Sequence, residues 1–353
     1  MKLNNLQILR FVAASMVLFS HVQHQAAKLF VEDTSFVPFE PVYWAGGVDI
    51  FFVISGFIMY YIASEQFGVA GAPREFLLKR LARIAPPYWF FTMLMVLATF
   101  IFANHISHPD FNVSLLVSSL FFVPKLNNYG MFYPVLMLGW TLNFEFFFYL
   151  VFSVSLLLSR RIGIVFIAVF MCFVVSLQYL FHLGSSPFAF YSNSIVFEFL
   201  FGIALAILFR KGWRLPAVLG WVIVVFAIIS MVVLQGLGIS NHFWEYRFLW
   251  MGLPALVLCA GFVLIGGRKG KSPSCLVLCL SFFGDASYSL YLSHPFSLNF
   301  ISLLWVKFDL ALPWLYVAAS CVISLACAIV VYFFIEMPMV GFFARLLSRR
   351  RCA

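Results

Sequence analysis

PAVLGWVIVVFAIISMVVLQ, residues 216–235, runs for twenty positions without a charged side chain, directly behind Arg210, Lys211 and Arg214. Wound as a helix, such a run rises about 30 Å, the thickness of a bilayer's hydrocarbon core. The same alternation of apolar run and charged punctuation recurs along the chain. It predicts helices near 8–28, 46–64, 85–104, 135–158, 162–182, 194–209, 216–235, 248–266, 281–305 and 313–335. A further run, Leu115 to Val123, is too short to span and reads as re-entrant or interfacial. Apolar residues fill 64% of the 353 positions and charged residues 10%. Soluble domains sit at roughly half and a quarter, so no soluble domain is expected.

The basic residues test this reading. With the N-terminus in the cytoplasm and the sides alternating, Lys28, Lys125, Arg247 and Lys307 are the exceptions among 22 lysines and arginines to a cytoplasmic placement. An error of one span would scramble that partition from its position onward. The expected fold is therefore all-α and polytopic, with about ten transmembrane helices and both termini cytoplasmic. The transmembrane domain is expected over 1–340, followed by a short basic cytoplasmic tail over 341–353. The net charge of +9 is explained by these flanks, and no nucleic-acid partner is expected. The seven cysteines lie mostly in apolar runs, with no disulfide frame and no metal set; Cys275-x3-Cys279 lacks nearby partners. The apolar run from Phe11 to Phe19 is expected to stay as the first helix rather than leave as a signal peptide.

Ionisable side chains at membrane depth are costly and point to function. His21, Asp49, Glu145, Glu198 and His294 all fall within or at the edge of a span. Arg10 and His21 are eleven residues apart, three helical turns with about 16 Å of rise, so they share one face. Arg10 could also snorkel to the headgroups while His21 is an ordinary satisfied core residue. Asp49 with Ser55-Gly56 puts a carboxylate beside a small-residue notch, though the same residues would serve the helix dipole and close packing. Arg80 and Arg83, with Arg74 and Lys79 before them, precede a helix expected to start at Pro86-Pro87. One turn presents both guanidinium groups to a polyanion, or equally to anionic lipid. Glu145 and Tyr149 are i,i+4 neighbours able to bond directly. Near the end, Ser287, Tyr291 and His294 share a face in a segment dense with hydroxyls, which suggests a cavity lining. His24 lies three residues after His21, but without a carboxylate on that face it makes a weak ligand set.

Six motifs, in order, resemble the acyltransferase-3 family of membrane carbohydrate O-acyltransferases. They are Arg10-x10-His21, GGVDIFFVISGF (46–57), KRLARIAPPYW (79–89), GWTLNFEFFFY (139–149), DASYSLYLSHP (285–295) and FIEMP (334–338). The resemblance covers nearly the whole chain, and GWTLNFEFFFY is most similar to the subgroup that acetylates exopolysaccharides. It implies that His21 is the catalytic histidine, with Arg10 its cytoplasmic-side partner and Arg80 and Arg83 near the acyl donor. Asp49, Ser55, Glu145, Tyr149, Tyr288, His294 and Glu336 occupy further motif positions. Some relatives carry an esterase-like domain after the last helices; none is expected after Pro338 here. The expectation is that the membrane part completes the transfer alone, as an oligomer, or with a separate periplasmic protein.

The implied activity is acetyl transfer from cytoplasmic acetyl-CoA, used as co-substrate without a metal. The acceptor would be a hydroxyl of an exopolysaccharide or O-antigen sugar, free or lipid-linked, at the bacterial inner membrane. His21 would act as general base or take the acyl group itself. Asp49 or Glu145 could fix its tautomer; the sequence does not choose. A transporter or flippase for a lipid-linked glycan is the alternative, and the lack of an inverted repeat speaks against it. A membrane glycosyltransferase would need a spaced acidic pair in its first outer loop, where this chain has adjacent Glu32-Asp33.

Overall fold

The computed structural model describes residues 3–31, 36–101, 112–181, 183–184, 186–239, 244–266 and 273–349. Lys2, Arg268, Lys269, Lys271, Arg350 and Arg351 of the charge reading, the Glu32-Asp33 pair and Cys352 lie outside the described residues.

The described chain is helical, with one isolated bridge between Leu215 and Ile265. In order, the helices are α1 Asn4–Leu29, α2 Gly47–Ala63, α3 Ala72–Ile101, α4 Val113–Leu120, α5 Gly139–Ser155, α6 Arg160–Phe181 and α7 Pro187–Tyr191. Then follow α8 Phe197–Arg210, α9 Ala217–Gly236, α10 Leu253–Val263, α11 Cys275–Asp285, α12 Ser287–Lys307, α13 Pro313–Val331 and α14 Met337–Arg349. Among the described residues, six helical segments are long and apolar enough to cross a membrane: α1, α2 with its leading turn, α3, α6, α9, and α13 continued into α14. The pair α11 and α12, bent by 64°, makes a seventh if counted as one span. The chain is a polytopic membrane protein. The remaining expected spans are shorter rods, α5 and α8 near 135–158 and 194–209, and Phe248–Val263.

Two expectations change in detail. Helix α3 begins at Ala72, not at Pro86-Pro87, and carries both prolines inside it. The prolines delete the donors for the carbonyls of Ala82 and Arg83 but do not end the helix, as is common inside membrane bundles where neighbours supply other partners. The segment expected at 281–305 is two helices that meet at Ala286. Helix α14 runs without a break across the expected boundary at 340 and packs on α3.

Small residues set the closest crossings. A Cβ on Gly56 would meet the carbonyl oxygen of Phe199 at 2.0 Å, and one on Gly202 would meet that of Val53 at 2.0 Å. The backbones of α2 and α8 therefore touch, and this is the most extensive helix contact among the described residues. Gly47 lies against the carbonyl of Ala13 in α1, and Gly284 against that of Gln7. These contacts hold α1 and α2 at the centre, with α5, α8, α10 and α12 around them. Helices α6 and α9, at the periphery, keep a row of large apolar side chains exposed, including Val165, Val169, Phe173, Trp221, Val222 and Phe226. Exposed apolar side chains on the rim of the bundle suit lipid rather than water.

Candidate active site

Two chambers lie along α1. The first, about 840 Å³ with its open mouth included, is lined by Arg10, Arg80, Arg83, Ser55, Glu145, Tyr149, Thr141, Ser287, Tyr288 and Tyr291, with apolar side chains of α2 between them. Eight of these ten are residues that the sequence had singled out; Thr141 is new, and Ser287 had been noted only for its face. The reason that α3 brings Arg80 and Arg83 together is the i,i+3 spacing in a helix that does not stop before the prolines. Glu145 Oε1 accepts from Ser55 Oγ at 3.0 Å and from the hydroxyl of Tyr149, the i,i+4 partner. The carboxylate among aromatic rings thus has its donors. Tyr288 donates to the carbonyl of Ile84 at 2.8 Å and ties α12 to α3.

Three guanidinium groups face one carboxylate in this chamber. Arg80 Nε is buried and finds no acceptor among the described residues, and Ser287 Oγ is likewise buried and unmet. Buried donors without acceptors are rare because each costs on the order of a hydrogen bond's desolvation. Such a set fits an anionic ligand whose oxygens complete it; the phosphates of an acyl-CoA have that chemistry, and planar guanidinium forks suit them.

The second chamber, about 1330 Å³ with its opening, is lined by His21, Ser20, Tyr43, Tyr133, Trp140, Phe144, Phe190, Asn193 and Arg247, among others. Arg10 and His21 share the uninterrupted α1, so the two chambers lie toward its opposite ends. They meet at Val48 and Tyr291, which line both. The Tyr291 hydroxyl donates to the Leu138 carbonyl at 3.0 Å and lies 2.7 Å from Thr141 Oγ1, so the ring is pinned in place.

His21 Nδ1 lies 3.0 Å from His294 Nε2, and His294 Nδ1 lies 3.0 Å from the carbonyl oxygen of Leu290. The two rings are nearly parallel, 5.0 Å apart at their centres. His294 is 1% exposed and lines neither chamber; it backs His21 from behind. Asp49 also lines neither chamber. It sits in the first turn of α2, fully buried, and accepts from Arg247 Nε at 2.8 Å and Nη2 at 2.6 Å. Arg247 presents this pair to the second chamber and lies over the Tyr43 ring. Glu198 is buried beside the pair, against Gly252. Arg247 was absent from the expected site, although one signal existed: it is among the four basic residues that break the positive-inside pattern. Glu336 accepts from Ser289 at 2.5 Å at the wide turn where α13 passes into α14. Among the described residues, no group of three or more His, Cys, Asp or Glu could hold a metal ion.

The acyltransferase domain model of family 3 matches residues 3–333. The chain belongs to acyltransferase family 3. It is 31% identical to the exopolysaccharide production protein ExoZ of Rhizobium meliloti (strain 1021), over 84% of this chain and 89% of that protein. It is 26% identical to a protein of Staphylococcus aureus (strain COL) known by name only as an O-acetyltransferase, over 83% of this chain; the match spans 52% of that relative. No solved structure matches. The family 3 acyltransferase described here is thus an enzyme of the acyl-transferring class, related to a protein of exopolysaccharide production.

Proposed function

We propose that this acyltransferase moves an acetyl group from cytoplasmic acetyl-CoA to a hydroxyl of a bacterial surface or secreted carbohydrate, with His21 as the reacting base. One observation carries the reading: an arginine-lined chamber and a histidine-lined chamber are neighbours, and among the described residues Val48 and Tyr291 line both. A two-substrate enzyme working across a membrane needs such a pair of sites.

The donor is assigned to the first chamber. Arg80, Arg83 and Arg10 take its phosphates, and the thioester lies inward, toward Tyr291. The acceptor is assigned to the second chamber, where Tyr43, Tyr133, Trp140 and Phe190 offer flat apolar faces of the kind that pack on sugar rings. The name of the Rhizobium relative supports an exopolysaccharide acceptor, free or lipid-linked. His21 takes the proton of the acceptor hydroxyl as its oxygen attacks the thioester carbon. The carbon–sulfur bond breaks, the thiolate recovers a proton, and the products are the ester and free CoA. In the two-step route His21 first accepts the acyl group and then yields it to the hydroxyl.

The proposal includes ten spans with both termini in the cytoplasm of a bacterial inner membrane, a transmembrane domain over 1–340 and a cytoplasmic tail over 341–353. Rods such as the 17-residue α5 are about 25 Å long, short enough to need local thinning of the bilayer but not too short to span. The deciding experiment is mass spectrometry of surface and secreted glycans from cells with the wild-type chain, without it, and with His21→Ala. Loss of acetyl groups from polymer that is still exported, at unchanged protein abundance, is the expected result. Full acetylation with His21→Ala would remove His21 from the mechanism, and loss of export itself would favour a transporter.

A further inference from the structure

The histidine pair fixes which nitrogen of His21 does the chemistry. The Leu290 carbonyl, 3.0 Å from His294 Nδ1, can only accept, so His294 Nδ1 carries its proton. A neutral imidazole holds one such proton, and His294 Nε2 is then an acceptor. Its partner at 3.0 Å, His21 Nδ1, must donate. The remaining nitrogen, His21 Nε2, is left with its lone pair, on a residue that lines the second chamber while its partner is buried behind it.

We propose that His294 is the positioning residue for His21: it holds His21 in the Nδ1-protonated tautomer and leaves Nε2 as base or nucleophile. This replaces the carboxylates considered for that task. Asp49 is spent on Arg247, and Glu145 on Ser55 and Tyr149 in the other chamber. The device suits a dry interior. A carboxylate behind the histidine would bury a charge throughout the cycle, whereas an imidazole is neutral at rest. When Nε2 takes a proton or an acyl group, the Nδ1–H bond to His294 becomes charge-assisted and strengthens at the moment it is needed. The anchor is local: Leu290 and His294 are one turn apart on α12, so the carbonyl that orients the second ring belongs to the same helix.

The inference rests on the assignment of His21 as the reacting residue, and its test separates the two. The first arm needs no activity: 15N NMR of the full chain in nanodiscs, labelled at histidine, with His21→Ala used to assign the signals. The expected spectrum has His21 protonated at Nδ1 and bare at Nε2. A proton found on Nε2 would overturn the proposal. The second arm compares His294→Gln with His294→Leu. The Gln amide can accept from His21 and donate to Leu290, and should keep O-acetylation within about tenfold of wild type; Leu should lose roughly 10²-fold or more. Both should match wild type in abundance and in acetyl-CoA affinity, which a merely structural residue would not spare. Wild-type acetylation by His294→Leu would reject the positioning role, while wild-type acetylation by His21→Ala would instead reject the reading beneath it.

Discussion

At the scale of single residues, the first chamber makes the sharpest demands. Arg80 Nε is buried and has no acceptor among the described residues, so its removal should be felt mainly by the acyl donor. Arg80→Ala should weaken acetyl-CoA binding about tenfold to a hundredfold, the loss expected for one hydrogen bond to a charged group. Arg80→Lys should recover little, because a point charge cannot reproduce the planar fork. Isothermal titration of the purified protein with acetyl-CoA checks both. Asp49 and Arg247 behave differently. Asp49→Asn strands a buried guanidinium and should cost about 3–5 kcal/mol, whereas Asp49→Leu with Arg247→Met removes both charges and should cost less. A thermal-shift comparison of the two proteins decides; a double variant clearly less stable than Asp49→Asn, as additive losses would make it, would mean the pair is not energetically coupled. These sites were unequally legible. Glu145 with Tyr149, and Arg80 with Arg83, are encoded by helical spacing and could be read from the letters. The pairs Asp49–Arg247 and His21–His294 join residues 198 and 273 positions apart, and no local periodicity carries such a contact.

At the scale of elements, the apolar runs gave the rods because burial in lipid leaves a helix no alternative way to satisfy its backbone. The errors lie where local rules have exceptions. Pro86-Pro87 reads as a helix start in water, yet α3 passes through it, and that continuity puts Arg80 and Arg83 on a rigid rod instead of a loop. The 64° bend between α11 and α12 follows no proline; it sits just after Gly284-Asp285, where Gly284 lies against the backbone of α1. The close approach of α2 and α8 was legible only in part, since Gly56 announced a notch but not its partner. Gly202→Leu should separate the two helices and destabilise the fold by about 1–3 kcal/mol, the cost of forcing extra atoms into a packed interior. Because α2 carries Ser55 and Val48, the same substitution should lower acetylation beyond what its abundance explains. Retained thermal stability in detergent would show that this crossing can yield.

At the scale of the whole molecule, two chambers share Val48 and Tyr291 as their common wall. Val48→Trp should thicken that wall and stop acetyl transfer while leaving acetyl-CoA affinity within about twofold, since the arginines that hold the donor are elsewhere. Undiminished acetylation would mean that the acyl group travels by another path. The side on which each chamber opens is open to test as well. Single cysteines at Arg83 and Ser20 should react with membrane-impermeant maleimide from opposite faces of sealed vesicles, the first from the cytoplasmic face. The sequence could suggest sidedness from its basic residues, but not that the site is divided, because Val48 and Tyr291 are unremarkable letters in apolar and aromatic surroundings.

That division has a consequence outside catalysis. A passage connecting the two faces of an energised membrane would short-circuit it, and each charge that leaks down a 100 mV potential dissipates about 2.3 kcal/mol. If the chambers open on opposite faces, as proposed, the two side chains that line both, one of them pinned through its hydroxyl to Thr141 and Leu138, would serve as electrical insulation. Trimming both to alanine should depolarise cells that overproduce the protein, a toxicity visible with a potential-sensitive dye even when the acceptor sugar is absent.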